Sequence, residues 1–330
     1  MKKALYLLDS SAYDLIYGPE ERTDIARMVD IYAPPQTAQS IATNPGVLAE
    51  VEILLSGWGM PPLDTAFLRA APNLKLVLYG AGSIRYFVTE ESWARGVQVV
   101  SAYAANAIPV VEYTLSTILL SLKRFWFFTQ EVRRLKNFPP RAPVAGCYGS
   151  TVGLISLGMI GQMVAERLRS YEMKVIAYDP FVSPEAAAAL GVELVELDEI
   201  FRRADVVSLH TPWLKETEGM ITGAHLNSMR PDATFINSAR GAVVREEEMI
   251  ETLKQRPDLY AVLDVTYPEP PAPDSPLYTL PNVVLSPHTA GAMSSECRRM
   301  GRLVVDELRR YLQGQPLQWS ISKERAVLLA

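Results

Sequence analysis

The sequence is poor in cysteine and histidine. It contains two cysteines, Cys147 and Cys297, and three histidines among 330 residues. The cysteines lack the spacing of metal ligands, so we predict no metal site. Two distant cysteines favour reduced thiols in a cytoplasmic protein over a structural disulfide.

The chain also lacks an excess of positive charge and a long uninterrupted apolar run. Its net charge is −5 and its pI is near 5.4, which argues against nucleic acid or an anionic membrane as the main partner. The apolar run 108–122 contains Glu112, and the start MKKALYLLDSS has too short an apolar part for a signal peptide. We therefore expect neither a membrane span nor a leader, and interpret the start as a first strand.

Hydrophobic residues make up 48% of the chain, and its length is enough for two globular domains. The stretch 149–180 predicts a strand at 152–156, a helix from Ile160 and a strand at 174–178 that ends at Asp179. This is the order of a dinucleotide-binding βαβ unit.

Each part of that unit has a physical role. Gly158 lets the backbone approach a pyrophosphate, and Gly161 lets the helix pack closely on the strand. The N–H groups of Met159 and Ile160 open the helix, where an anion is favoured. Asp179 can accept hydrogen bonds from both ribose hydroxyls and would repel a 2′-phosphate, which favours NAD over NADP.

One position departs from the usual glycine pattern. Ser156 stands where the first glycine is expected, and serine adopts positive φ less readily. The alternative interpretation is a purely structural turn. The flanking strand and helix, with Asp179 about twenty residues on, favour nucleotide binding.

Further strands are predicted along the chain, several with polar residues just past their carboxyl ends, where open parallel sheets bind ligands. We also predict a helix over 109–128 with Pro109 in its first turn, a short helix capped by Ser183, and a last helix over 292–312 stopped by Gly314. The other predicted strands are 4–8, 52–55, 74–78, 97–100, 205–209, 234–237, 261–263 and 283–285.

The histidines differ in context. His210 ends an apolar strand and is interpreted as structural, and His225 lies in a polar helix and is interpreted as a surface residue. His288, in SPHTAG, follows a strand at the binding edge and suits proton transfer. Glu269 is a candidate partner that would fix its tautomer, although a solvated loop acid is the alternative.

Two more features suit an acidic substrate. Arg240 could bind a carboxylate through two hydrogen bonds, or form a surface salt bridge. The glycine-rich segment 79–83 is either a tight turn or a loop whose N–H groups meet a carboxylate. Arg240, Glu269 and His288 together suit hydride transfer between a nicotinamide and an α-keto acid.

The chain resembles the NAD-dependent D-isomer specific 2-hydroxyacid dehydrogenases. The residues that carry the resemblance are VGLISLGMIGQMVAERL with Asp179, ADVVSLHTP, NSARGAVVREEEMIETL, AVLDVTYPEPP and NVVLSPHTAG, in family order over residues 100–300. The N-terminal third matches loosely, through KLVLYGAGS and VVSAYAANAIPVVE.

The resemblance implies an α/β fold in which a Rossmann NAD-binding domain, 105–294, is inserted into a flavodoxin-like substrate-binding domain formed by 1–104 and 295–330. It implies an active site in the cleft between the domains and a homodimer with paired NAD domains. The segment after the last helix is too short for the regulatory domain of many phosphoglycerate dehydrogenases, so we expect none.

The resemblance also implies roles for individual residues. Arg240 would bind the substrate carboxylate and carbonyl oxygen, His288 would be the general acid/base and Glu269 its partner, and Asp264 would hold the nicotinamide carboxamide. Ala81 and Gly82 would offer backbone groups to the substrate. The full set of residues expected at the cofactor is Gly158, Met159, Ile160, Gly161, Asp179, Thr211, Ser238, Ala239, Arg240, Asp264, His288, Ala290 and Asn106.

Some positions depart from the family pattern. Met159 replaces a common arginine, and the segment 82–85 lacks the usual aspartate. We expect Arg85 to face solvent; the alternative is that it adds a positive charge near the substrate. We predict an NAD-dependent oxidoreductase for a small 2-keto acid and its D-2-hydroxyacid, of the glyoxylate or hydroxypyruvate kind. The alternative is an NAD-sensing, corepressor-like binding protein without turnover. A formate-type dehydrogenase is disfavoured, because that enzyme pairs the histidine with glutamine.

Overall fold

The computed structural model describes residues 1–327. The chain divides into two compact units, the first formed by 1–107 and 292–330 and the second by 108–291. The predicted division, with a substrate-binding and a coenzyme-binding role for the two domains, stays a prediction.

Every strand predicted from the sequence is present, with its ends within two residues of the expected positions. Strands β2, β8 and β13 are too short for a hydrophobic period to reveal them. The strands of the described part are β1 (Lys3–Leu7), β2 (Asp30–Ile31), β3 (Ile53–Ser56), β4 (Leu76–Tyr79), β5 (Gln98–Ser101), β6 (Thr151–Ile155), β7 (Lys174–Tyr178), β8 (Val192–Leu194), β9 (Val206–Leu209), β10 (Thr234–Asn237), β11 (Tyr260–Leu263), β12 (Val283–Leu285) and β13 (Ser320–Ile321).

The first unit contains a sheet with the order β13-β5-β4-β3-β1-β2. The pairs are parallel except for β13, which runs antiparallel to β5. Without β13, the order is that of the flavodoxin-like fold. Two separate apolar clusters cover the two faces of this sheet, which explains why its strands are apolar on both sides.

The second unit contains a parallel sheet with the order β12-β11-β10-β9-β6-β7-β8. This is the Rossmann order with one strand added beside β11, and its direction of winding changes between β6 and β9. Since all its strands are parallel, their carboxyl ends share one edge. The turns that carry Gly158, Asp179, Thr211, Arg240, Asp264 and His288 all follow these ends.

The helices of residues 1–327 alternate with the strands. They are α1 (Ser10–Ile16), α2 (Pro19–Met28), α3 (Ala38–Thr43), α4 (Thr65–Ala70), α5 (Glu90–Ala94), α6 (Tyr103–Leu122), α7 (Phe125–Leu135), α8 (Met159–Leu168), α9 (Pro184–Ala189), α10 (Leu197–Arg203), α11 (Gly223–Asn227), α12 (Glu246–Gln255), α13 (Cys297–Leu312) and α14 (Lys323–Ala326). Short 3-10 turns lie at Pro45–Glu50, Gly241–Val243, Pro276–Tyr278 and Ser294–Glu296.

The prediction of one helix over 109–128 is wrong at both ends. Helix α6 starts at Tyr103 and contains Pro109 in its interior, because the alanine-rich segment before the proline is itself helix-forming. The helix stops before Arg124, whose φ of 49° breaks the backbone hydrogen bonding, and α7 follows as a separate helix. The aromatic residues 125–128 therefore lie on α7.

Helix α6 is long and apolar enough to cross a membrane by length and composition, but 56% of the relevant window is buried inside the structure. Such burial is expected of the core helix of a soluble protein.

Two further helices test the sequence predictions. Ser183 caps α9 by accepting a hydrogen bond from the Ala186 N–H, as predicted. The last helix, α13, starts at Cys297, later than the predicted residue 292, because a 3-10 turn comes first. Gly314 follows its end with a φ of +66°, which agrees with the predicted stop.

Candidate active site

The turn between β6 and α8 has the geometry of a dinucleotide turn. Ser156 adopts a φ of +78°, the conformation for which glycine is normally used. Its hydroxyl lies 2.8 Å from the hydroxyl of Thr211, which follows β9. This contact joins the two strands at the point where the winding of the sheet changes, and it stabilises serine in a position that costs backbone energy.

The two glycines of this turn meet different surroundings. A Cβ atom on Gly158 would meet nothing within 4 Å, so the backbone at the start of α8 is open. A Cβ atom on Gly161 would lie 2.2 Å from the Ser156 carbonyl oxygen, so α8 packs against the turn as closely as predicted. Open backbone at the start of a helix, where the first N–H groups have no helical partner, suits a phosphate.

Asp179 follows β7, and its carboxylate shapes the same turn. One oxygen accepts a hydrogen bond from the Leu157 N–H at 2.7 Å, and the other accepts from the Phe181 N–H at 2.8 Å. Each carboxylate oxygen has a second lone pair, so both can also accept from ribose hydroxyls. Asp179 therefore combines a structural role with the predicted ribose contact.

His288 and Glu269 are in direct contact, with 2.6 Å between Nδ1 and Oε1. His288 follows β12 and Glu269 lies on the long segment after β11. Their side chains are 51% and 42% exposed, so a small molecule can reach them. Because Glu269 accepts a hydrogen from Nδ1, the other ring nitrogen, Nε2, is the one that can exchange a proton with a ligand.

Arg240 follows β10, and its guanidinium donates to the Ala239 carbonyl oxygen at 2.6 Å. The next residue, Gly241, is packed against the backbone of Thr266, because a Cβ atom at Gly241 would lie 2.0 Å from the Thr266 carbonyl carbon. The turn of Arg240 therefore adjoins the segment that leads to Glu269. The convergence of the Arg240 guanidinium on His288 stays a prediction.

Asp264 is 2% exposed and organises the segment that carries His288. Its Oδ1 accepts from the Ser286 hydroxyl at 2.6 Å and the Thr289 N–H at 2.9 Å, and its Oδ2 accepts from the Ala290 N–H at 2.9 Å. Its backbone oxygen accepts from the His288 N–H at 3.0 Å. Sequence reasoning assigned Asp264 only to the cofactor and missed this network.

The remaining predicted cofactor residues of this unit lie in the same turns. Thr211 and Ala290 are each 3% exposed, and Ser238 is 9% exposed. The Ser238 hydroxyl lies 3.1 Å from that of Thr114 on α6, which fixes the turn after β10. Their contacts with NAD stay a prediction.

The predicted substrate loop belongs to the first unit, after β4. The buried Ser101 hydroxyl lies 3.0 Å from the Ala81 carbonyl oxygen and 2.5 Å from the Gly82 carbonyl oxygen. In a trans peptide the N–H points opposite to the carbonyl. The N–H groups of Gly82 and Ser83 therefore point away from Ser101.

Asn106 of α6 lies beside this loop. Its Oδ1 accepts from the Ala292 N–H at 2.9 Å, while its Nδ2 lies on the side of Gly82, 3.5 Å from where a Cβ atom there would be. Arg85 is exposed, as expected. Asn106 thus presents its amide N–H₂ toward the predicted carboxylate loop, whereas its predicted place near the nicotinamide remains untested.

The other two histidines have different surroundings. Burial lowers the pKa of His210 to about 4, and its Nε2 lies 3.1 Å from the Ser208 hydroxyl, which suits a structural residue. His225, which was predicted to be a surface residue, is only partly exposed, with 17% of its side chain accessible. Its ring stacks on Phe201 and its Nε2 lies 3.2 Å from the Asp198 carboxylate.

A cavity of about 490 Å³ lies beside His288 and Glu269, with Asp264 and Tyr278 also in its wall. Its size is in the range of small-molecule sites. Among residues 1–327, no group of three or more His, Cys, Asp or Glu side chains is arranged to hold a metal ion. The cysteines are unpaired, with Cys297 buried and Cys147 partly exposed.

The fold and this sheet edge define an α/β protein with a Rossmann dinucleotide-binding sheet and a flavodoxin-like second sheet. The chain belongs to the D-isomer specific 2-hydroxyacid dehydrogenase family, since the model of that family's NAD binding domain matches residues 115–290. NAD is therefore the coenzyme of this chain, as predicted.

Sequence identity to individual relatives supports the same family assignment. The chain is 32% identical over 260 residues to a D-3-phosphoglycerate dehydrogenase of Archaeoglobus fulgidus, an alignment that covers 79% of this chain and 49% of the relative. It is 32% identical over 267 residues to a glyoxylate reductase of Thermofilum pendens, with 79% of both proteins covered. The chain thus spans about half the length of the first relative.

A solved structure supports the fold. The NAD-complexed D-isomer specific 2-hydroxyacid dehydrogenase of Lactobacillus delbrueckii ssp. bulgaricus matches with a TM-score of 0.81 and 23% identity, covering 98% of this chain and 100% of that one.

Proposed function

We propose that this protein is an NAD-dependent oxidoreductase that interconverts a small 2-keto acid and its D-2-hydroxyacid, with a substrate of the glyoxylate or hydroxypyruvate kind. The observation that carries the proposal is the 2.6 Å contact between His288 and Glu269 at the carboxyl edge of the dinucleotide-binding sheet. A relative named glyoxylate reductase, with most of its length covered, supports the substrate class.

The residues present fit the coenzyme. The open backbone at Gly158, with the first N–H groups of α8 at Met159 and Ile160, would bind the pyrophosphate. Asp179 retains lone pairs for the ribose hydroxyls, and its charge disfavours a 2′-phosphate. When bound, the nicotinamide would supply or accept the hydride. No arginine supports the pyrophosphate at position 159, so we expect modest coenzyme affinity.

The chain itself would move the proton and orient the substrate. His288 would donate from Nε2 to the keto oxygen, while Glu269 holds Nδ1 and stabilises the charged ring. Arg240 would bind the substrate carboxylate through charge-assisted hydrogen bonds. The N–H groups turned away from Ser101, at Gly82 and Ser83, would add neutral donors to the carboxylate.

The rival function is NAD sensing without turnover. It would use the same coenzyme turn. The exposed, paired His288 and Glu269 favour turnover, but the corepressors related to this family also keep these residues, so only a turnover assay decides between the two functions. A formate-type dehydrogenase is disfavoured since Glu269 occupies the position of its glutamine.

The test is a panel of 2-keto acids, including glyoxylate, hydroxypyruvate and pyruvate, with NADH and separately with NADPH. Turnover is followed at the nicotinamide absorbance. We expect turnover of at least one small acid with NADH, and weaker turnover with NADPH. Tight NADH binding without turnover of any acid would favour the sensing protein, and a preference for NADPH would contradict the role of Asp179.

We also propose a cytoplasmic homodimer that binds neither membranes nor nucleic acid. Helix α7 has no buried residues, and the apolar side chains of Phe125, Leu135 and Phe138 are 42%, 41% and 86% exposed. Exposed apolar residues along and just after one helix suit a protein partner, and the net charge of −5 disfavours polyanions. Sedimentation equilibrium would give the mass, and a monomer at micromolar concentration would contradict the dimer.

A further inference from the structure

Three linked polar groups adjoin the segment that carries the predicted acid/base, and one of them comes from a distant helix. The Tyr113 hydroxyl of α6 lies 2.8 Å from the Ser286 hydroxyl, which in turn lies 2.6 Å from Asp264 Oδ1. The two hydroxyl-bearing residues are 173 positions apart in sequence. The contact therefore exists only because the fold brings α6 to the end of β12.

The directions of these hydrogen bonds follow from chemistry. An ionised carboxylate can only accept, so Ser286 donates its single hydroxyl hydrogen to Asp264. Ser286 then has only lone pairs for Tyr113, so the tyrosine donates to Ser286. Burial raises the pKa of the Tyr113 phenol, which keeps it a donor at neutral pH. A hydroxyl that accepts a hydrogen bond becomes a stronger donor.

The backbone of His288 needs this support. Its φ is +53°, a left-handed conformation that is unfavourable for a residue with a side chain. The Asp264 carboxylate binds the segment before His288 through Ser286 and after it through Thr289 and Ala290. The imidazole is half exposed, so its backbone and the hydrogen bond to Glu269, rather than packing, fix where it points.

We propose that Tyr113 is a positioning residue for His288, acting through the Ser286 hydroxyl and Asp264. The proposal deepens the proposed function and rests on it for its kinetic consequence. Tyr113 fixes the Ser286 hydroxyl, and Ser286 and Asp264 hold the strained segment so that Nε2 faces the substrate.

The test compares single and double variants. Tyr113→Phe removes one hydroxyl, and we expect kcat with the best keto acid to fall about three- to tenfold, the effect of one hydrogen bond, with KM nearly unchanged. Because Tyr113 acts only through Ser286, the Tyr113→Phe/Ser286→Ala double variant should be no slower than Ser286→Ala alone. Ser286→Thr keeps a hydroxyl and should retain most of kcat.

Tyr260→Phe is the matched control. Tyr260 lies in the same unit and donates from its hydroxyl to Gln130 Oε1 at 3.3 Å, away from His288. Its loss should leave kcat unchanged. The proposal would be overturned if kcat of the double variant fell by the product of the two single losses. It would also be overturned if Tyr260→Phe lowered kcat as much as Tyr113→Phe does.

A second measurement does not depend on turnover. The chain has three histidines, so their Cε1 protons give three resonances in proton NMR. The His288 resonance is assigned by its absence in His288→Gln. Tyr113→Phe should shift or broaden this resonance and leave those of His210 and His225 in place. If the wild type turns over no acid, the proposed function fails, but this spectrum still tests the inference, and an unchanged His288 signal would refute it.

Discussion

The two loops that we propose to meet the substrate are built differently. In the second unit, the segment around His288 presents a side chain and is held by a buried carboxylate that accepts four hydrogen bonds from its flanks. In the first unit, the loop at Gly82 presents peptide N–H groups and is held by one neutral hydroxyl, that of Ser101.

The comparison indicates that the loop whose functional group is a side chain has the stronger hydrogen-bond support. A proton donor must keep one direction, and a charged, buried support with several donors holds it there. Peptide donors are already fixed by the backbone, so a single hydroxyl is enough to choose which way they face. The variants below test this contrast.

Removal of the proton donor should have the largest effect. His288→Gln should lower kcat by about 10²–10⁴-fold, the usual contribution of a general acid, while the Kd of NADH changes little. Stopped-flow turnover and fluorescence titration measure the two quantities. His225→Asn, on α11, is the control and should keep kcat. Unchanged turnover in His288→Gln would remove the assigned role.

Weakening the charged support, the Asp264 carboxylate, should have the next largest effect. In Asp264→Asn an N–H₂ group replaces one oxygen and faces donors at Ser286, Thr289 or Ala290, so one buried hydrogen bond is lost. We expect the free energy of unfolding to fall by about 1–3 kcal/mol. Urea unfolding without ligand measures it. An unchanged unfolding midpoint would mean that the carboxylate does not support the segment.

Acid should lower the stability of the second unit through His210. All three histidines of the chain belong to this unit. Burial lowers the pKa of His210 to about 4, while the unfolded value is about 6.5. Unfolded chain then binds the proton first, so this contribution to stability is complete above pH 6.5 and declines as the pH falls toward 4. Urea midpoints at neutral and mildly acidic pH should differ less in His210→Asn than in the wild type. An equal difference in both proteins would contradict the prediction.

Removal of the neutral support should have the smallest effect. Ser101→Ala frees the carbonyl groups of Ala81 and Gly82, at a cost of about 0.5–1.5 kcal/mol in unfolding free energy. If the loop binds the substrate carboxylate, KM for the keto acid should rise more than kcat falls. A loss in kcat as large as that of His288→Gln would erase the contrast between the two loops.

The sequence was sufficient for most strands and for the contact between His288 and Glu269, because apolar strands and the polar residues after them leave a local pattern. It failed at α6, where Pro109 resembled a helix start although the preceding residues are helical. It also gave no sign that Phe201 and Asp198 of another helix partly cover His225.

The supports could not be predicted at all. Ser101 and Tyr113 each reach residues that only the folded chain brings near, and serine and tyrosine are common enough that their presence signals nothing. A single sequence reveals groups whose chemistry is distinctive, such as His288. Neutral supporting groups are recognised only from the distances between atoms in the folded chain.

The return of the chain to its first sheet has a consequence for synthesis. Strand β13 pairs with β5, and α13 contributes to the same apolar cluster as β1 and β3. On the ribosome, the first unit therefore cannot be completed until the chain has been translated as far as β13. The inserted unit, continuous from 108 to 291, has all its strands available earlier. The order of translation therefore favours completion of the second unit before the first.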